Sequence, residues 1–143
     1  MIFSGSILFR TPPINFNNPF RFNLEVIEVD DYTESFKIFL KIEIEQFQQL
    51  ILYENNLWIQ YEIWEKFLKS LNQVVVVDCL LFDTSEIFIF YIKRINNIPI
   101  LEWKFQNKTV EGNTLHGNFT FYIDDDTLGN IHKVFLDFPI WWR

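Results

Sequence analysis

The chain has 143 residues, 49% of them hydrophobic and 17 of them Phe, which is enough apolar material for one buried core and excludes the disordered class. Its 12 Lys and Arg against 19 Asp and Glu leave a net charge of -7, which argues against free DNA or RNA as partner, because phosphate binding needs a basic surface, and suits a basic protein instead. With 4 Gly and 5 Pro, and no stretch poor in apolar residues, nothing divides the chain, so residues 1–143 are expected to form a single domain.

In chain order, the apolar segment 2–10 is a candidate first strand, ended by Pro12-Pro13. Segment 20–29 alternates Phe20, Phe22, Leu24 and Val26 with Arg21, Asn23 and Glu25, the period of a strand with one buried face. Segment 36–45 alternates more strictly, with Phe36, Ile38, Leu40, Ile42 and Ile44 opposite Lys37, Lys41, Glu43 and Glu45. Asp30-Asp31-Tyr32-Thr33 between them has turn composition, so the two segments predict an antiparallel hairpin.

The period then changes. Leu57, Tyr61, Trp64, Leu68 and Leu71 are spaced four, three, four and three, which predicts a central helix over about 57–71, capped by Asn55 or Asn56. Three strand-length apolar runs follow at 74–82, 86–93 and 98–105, separated by Asp83-Thr84-Ser85 and Asn96-Asn97. After a loop over 107–114, residues 115–123 give one more strand, with Phe119, Phe121 and Ile123 on one face. Asp124-Asp125-Asp126 sit where the N-cap and first turn of a helix belong, and Leu128, Ile131, Phe135 and Phe138 carry the helical stripe. A C-terminal helix over about 126–138 is expected, stopped by Pro139, with Trp141 and Trp142 tucked against the body. The fold class is α+β: a mainly antiparallel curved sheet of about six or seven strands with the helices on one face.

Sites for chemistry are sparse. His116, His132 and Cys79 match no zinc spacing, so no metal is expected, and Gly5, Gly112, Gly117 and Gly129 make no phosphate-binding loop. Ser4-Gly5-Ser6 lacks the flanking glycines of a hydrolase elbow, and Cys79 lies within an apolar run where a buried, inert thiol is the expectation. No catalytic residue and no cofactor are assigned, and an enzyme is not expected. A lone cysteine, no signal-peptide pattern at Met1 to Arg10 and no long uncharged apolar stretch point to the cytoplasm and away from a membrane. Two acidic turns remain as candidate contacts for a cationic partner: Asp30, Asp31 and Glu34, and Asp124, Asp125 and Asp126. Either turn also serves as a solvated cap or loop.

From Leu57 onward, a helix bearing Trp58 and Trp64 precedes a strand hairpin, a strand carrying Trp103, and the strand Phe119-x-Phe121-x-Ile123-Asp124 that leads into a C-terminal helix. This layout resembles small bacterial immunity proteins, in particular the WapI-like group that neutralises toxin domains delivered by contact-dependent or related systems. The resemblance implies stoichiometric inhibition of a cognate toxin C-terminal domain, commonly a nuclease and hence basic, by covering its active site or an essential surface. The alternative, from another class, is a structural or regulatory module that self-associates through an exposed strand edge or an aromatic patch including Trp141 and Trp142.

Overall fold

The computed structural model describes residues 11–73 and 78–142. Strands β1 (Ile14–Phe16), β2 (Arg21–Asp30), β3 (Ser35–Gln46) and β4 (Gln49–Gln60) form one antiparallel sheet in chain order, and helix α1 (Tyr61–Leu71) follows without a loop. Strands β5 (Cys79–Phe82), β6 (Phe88–Ile95), β7 (Ile98–Lys108) and β8 (Thr114–Tyr122) form a second antiparallel sheet, followed by helix α2 (Asp125–Leu136). The fold is α+β, two successive four-stranded meanders each ending in a helix. Its eight described strands divide into two sheets rather than one curved sheet, because α1 intervenes between β4 and β5 and no described ladder joins the halves.

Alternation accounts for most of the strands. On β3, Phe36, Ile38, Leu40, Ile42 and Ile44 are all buried while the residues between them are half-exposed. On β2 the pairing with β3 slips between Val26 and Glu28, and this irregularity turns Val29 into the core only three positions after Val26. β1 is an addition to the expected elements, while the expected strand at 2–10 and positions 74–77 of the run 74–82 lie outside the described residues.

The largest departure concerns residues 49–60. The helix expected from about 57 begins at Tyr61, and Leu57 to Gln60 instead complete β4, which pairs with β3 over its whole length. Neither Asn55 nor Asn56 caps α1. The N-cap is Gln60, which makes no side-chain cap bond, and the Tyr61 N–H donates to the Glu34 carbonyl at 2.8 Å instead. The strand pattern of β4 is obscured because its inward face reads Ile51, Tyr53, Asn55, Leu57 and Ile59, with a polar residue in the middle. Asn55 is accommodated there by donating its side-chain amide to the Tyr53 hydroxyl at 3.1 Å. α2 runs 125–136 rather than to 138, and Phe138 packs in the core just beyond its C-cap, Asp137.

The inner faces of the two sheets meet through aromatic side chains. Phe22 lies 5.5 Å from Phe90, and Tyr53 stacks on Phe105 at 4.6 Å. The helices add Phe67 and Phe135, edge to face at 5.0 Å, to the same cluster. Truncating a fully buried ring such as Phe67 or Phe135 to Ala is expected to cost about 3–5 kcal/mol. α1 packs against β5 and α2 against β1, so each helix covers the short edge strand of the opposite sheet. The long edges β4 and β8 lie at the other margins of the two sheets.

Candidate partner-binding groove

The turn between β2 and β3 is tied by its own polar groups. Asp30 Oδ1 accepts from the N–H groups of Tyr32 and Thr33 at 3.0 and 3.4 Å, and Glu34 ends the turn at φ +52°. The Glu34 carbonyl takes the first N–H of α1, which fixes this acidic turn against the start of the helix. Tyr61, the first residue of α1, donates its hydroxyl to Asp31 Oδ1 at 2.6 Å.

The C-terminal segment completes the site. The Tyr61 ring stacks on Trp142 at 4.2 Å with planes 3° apart, and Trp142 Nε1 donates to Glu65 Oε2 at 2.7 Å. Tyr61 and Glu65 are four residues apart and therefore share a helix face, so one indole is held at two points by one helix. Trp141 stands perpendicular to Trp142 at 4.8 Å and edge-on to Phe36 at 5.4 Å. Between the β2–β3 turn, α1 and residues 136–142 lies an open groove of about 1270 Å³.

Four carboxylates, Asp31, Glu34, Glu62 and Glu65, and two ammonium groups, Lys66 and Lys69, line it alongside the aromatic rings. Lys66 is engaged with Glu62 at 3.2 Å. Burial, followed by the hydrogen bond to Asp31, pushes the Tyr61 phenol well above its ordinary ionisation range, so it remains a neutral donor to that carboxylate. Indole and phenol rings beside carboxylates favour a cationic group, through the ring quadrupole on one side and charge-assisted hydrogen bonds on the other.

Of the acidic residues singled out in the sequence, Asp31 and Glu34 line this groove and Asp30 holds the turn that presents them. The triplet before α2 is elsewhere. Asn18, ahead of β2, donates to Thr127 Oγ1 at 3.3 Å, which puts the start of α2 at the Arg21 end of β2, whereas Asp30 is at its far end. Ten strand residues separate the two ends by roughly 30 Å, so the acidic turns do not form one surface. Asp124 accepts from the Thr127 N–H at 2.7 Å as the N-cap, and the Thr127 side chain, followed by this backbone bond, holds its carboxyl below the usual range. Asp125 pairs with Arg94 at 2.7 Å, and Asp126 is exposed in the first turn of α2.

No motif in the sequence marks Tyr61, Glu62 and Glu65 as site residues. The i, i+4 spacing of Tyr61 and Glu65 was visible, but Glu65 meets Trp142 across 77 positions of chain, and no local pattern marks such a pair. Cys79 is fully buried, and desolvation, then Asp78, pushes its thiol up to about 12, which leaves it a poor nucleophile. Buried Asp83 is occupied in a turn, its side chain accepting from the N–H groups of Phe88 and Ser85. Among the described residues, no group of three or more His, Cys, Asp or Glu is placed to hold a metal ion, and no helix is long and apolar enough to cross a membrane. Comparison with protein-family models, curated proteins and solved structures gives no match to this chain.

Proposed function

We propose that this chain is an immunity-type inhibitor that binds a basic bacterial toxin domain, a nuclease, in a stoichiometric complex and works without chemistry of its own. The observation that carries this reading is the groove in which Trp141, Trp142 and Tyr61 stand beside Asp31 and Glu34. Tryptophan and tyrosine supply the anchors that dominate protein interfaces, and carboxylates at the rim attract the lysines and arginines a nuclease needs for phosphate. The net charge of -7 adds long-range attraction to such a partner. Inhibition follows from occupancy: a cationic segment held in the groove no longer reaches nucleic acid. The protein would act in the cytoplasm, where a delivered nuclease meets its substrate.

The test is co-purification of the tagged full chain with the C-terminal domain encoded immediately upstream of its gene, at low and at high salt. A 1:1 complex that weakens with salt, together with protection of cells expressing that domain, is the expected result. Absence of a complex in both buffers would overturn the proposal for that partner.

A further inference from the structure

The hairpin tip between β3 and β4 places Phe47 and Gln48 at φ +54° and +61°, both in the left-handed region. The tip between β6 and β7 makes its two-residue turn with Asn96 and Asn97 at φ +51° and +67°, a residue type that tolerates this conformation. A phenylalanine does not, and Phe47 is also 90% exposed. β4 continues from this tip with Leu50 and Leu52, which are 65% and 51% exposed on the outer face of the sheet.

β4 is an edge strand of 12 residues in unbroken register with β3, with no Pro or Lys and a single charge, Glu54. Edge strands are ordinarily short, bulged, charged or covered, as β1 and β5 are under the helices. Gln46 and Gln49 flank the two-residue turn and, as in such hairpins, exchange both backbone bonds, so the even-numbered residues of β4 turn their backbone groups outward. Trp58 fits this parity, its carbonyl accepting from the N–H and the hydroxyl of Thr84, each at 2.8 Å. The Asn56 N–H is taken by the Asn55 side chain at 2.8 Å. Leu50, Leu52 and Glu54 are left with outward N–H and C=O groups that, among the described residues, meet no partner.

We propose that this segment pairs antiparallel with the same segment of a second copy, about a two-fold axis at Leu52. Among registers that keep the backbone groups in phase, only this one maps Leu50, Leu52 and Glu54 onto themselves, so every open donor meets an open acceptor. Shifting the axis by one residue leaves one of the three opposite the left-handed Gln48 or the capped Asn56. The contact is isologous and closes as a dimer. Charge permits it: Glu54 of one copy faces Leu50 of the other, and within its own sheet Glu54 lies beside Lys41. Glu43, beside Leu52, is bonded to Arg21 at 2.8 Å, so the charge of the chain is not concentrated at this margin. The same register brings the hairpin tip of one copy, with its exposed Phe47, toward the Trp58 end of the other copy's β4, where Thr84 ends the pairing. The other long edge, β8, has Gly117 at its centre and exposed His116, Asn118 and Thr120 along it. A β4-to-β8 contact would be heterologous and would propagate into chains of molecules rather than close.

Sedimentation of the full chain over about 1 to 300 µM is expected to show a monomer–dimer equilibrium, since strand pairing buries only a small interface. Leu52→Lys and Leu52→Glu are each expected to be monomeric with an unchanged circular dichroism spectrum, and their equimolar mixture to dimerise again, because lysine then meets glutamate at the axis. Leu115→Lys on β8 should leave the dimer intact. Phe47→Asn is expected to weaken the dimer while raising the melting temperature of the monomer, since the tip then adopts the chemistry of its Asn96 counterpart. A wild-type monomer throughout the range, a dimer that survives both Leu52 variants, or a ladder of larger species would each overturn the proposal. So would a monomer in which Leu52→Lys blocks binding of the toxin domain, which would assign β4 to a strand of that domain.

Discussion

The acidic turn between β2 and β3 and the acidic turn before α2 carry similar charge and use it differently. At α2 two of the three carboxylates are committed to the chain's own structure: Asp124 caps the helix and Asp125 holds Arg94. At β2–β3, Asp30 holds the turn and Asp31 takes the Tyr61 hydroxyl, while Asp31 and Glu34 also line an open groove walled by Tyr61 and Trp142. A carboxylate cluster therefore says little about recognition until its neighbours are known. What separates the two turns is the tryptophan-bearing tail that folds back beside one of them.

Removing that tail's anchor is the sharpest way to test the distinction. Trp142→Ala is expected to weaken the complex with the toxin domain by about 2 kcal/mol, or roughly thirtyfold in Kd by calorimetric titration. Unchanged affinity would move the binding face away from the groove. Next in size, Asp31→Asn combined with Glu34→Gln is expected to slow association about tenfold at low salt, measured by stopped-flow mixing, with the difference shrinking as salt rises. Asp125→Asn with Asp126→Asn should leave that rate nearly unchanged, and equal effects from both pairs would erase the contrast between the turns.

Asp124→Ala should act on stability alone, lowering the melting temperature by roughly 3 °C through loss of the helix cap while binding is retained. Because the folded Asp124 carboxyl lies below its ordinary 3.8, its stabilising contribution is present above that value and is lost as pH falls through the folded one. The variant should accordingly flatten the acid side of the stability profile. The smallest effect is alkaline. The Tyr61 phenol is raised above its ordinary 10.0, so its contribution is complete below pH 10 and fades as pH rises through the folded value. Tyr61→Phe should remove that fading in melting curves recorded above pH 10, and an unaltered alkaline slope would show that burial and Asp31 do not hold the phenol neutral in solution.

Local chemistry made much of this fold visible in the chain. Strict alternation marks β3, Asn96-Asn97 marks the β6–β7 turn, and Asp124 followed by a helical stripe and Pro139 marks α2, because in each case the determining contacts lie within a few residues. The α+β class and the antiparallel pairing followed from the same periodicities. Residues 49–60 did not yield to them. Leu57 fits both a helical stripe with Tyr61 and Trp64 and a strand face with Ile59, and the ladder to β3 decided between the two. The groove was still less visible, since Asp31 meets Tyr61 across 30 positions and Glu65 meets Trp142 across 77. Which edges stay open was likewise a tertiary outcome, fixed by where α1 and α2 come to rest. The sequence by itself determined the periods, the turns and the caps, because these are short-range balances of backbone preference and burial. The tertiary structure alone decided which side chains share a surface, because that depends on long-range packing to which no single segment commits the chain.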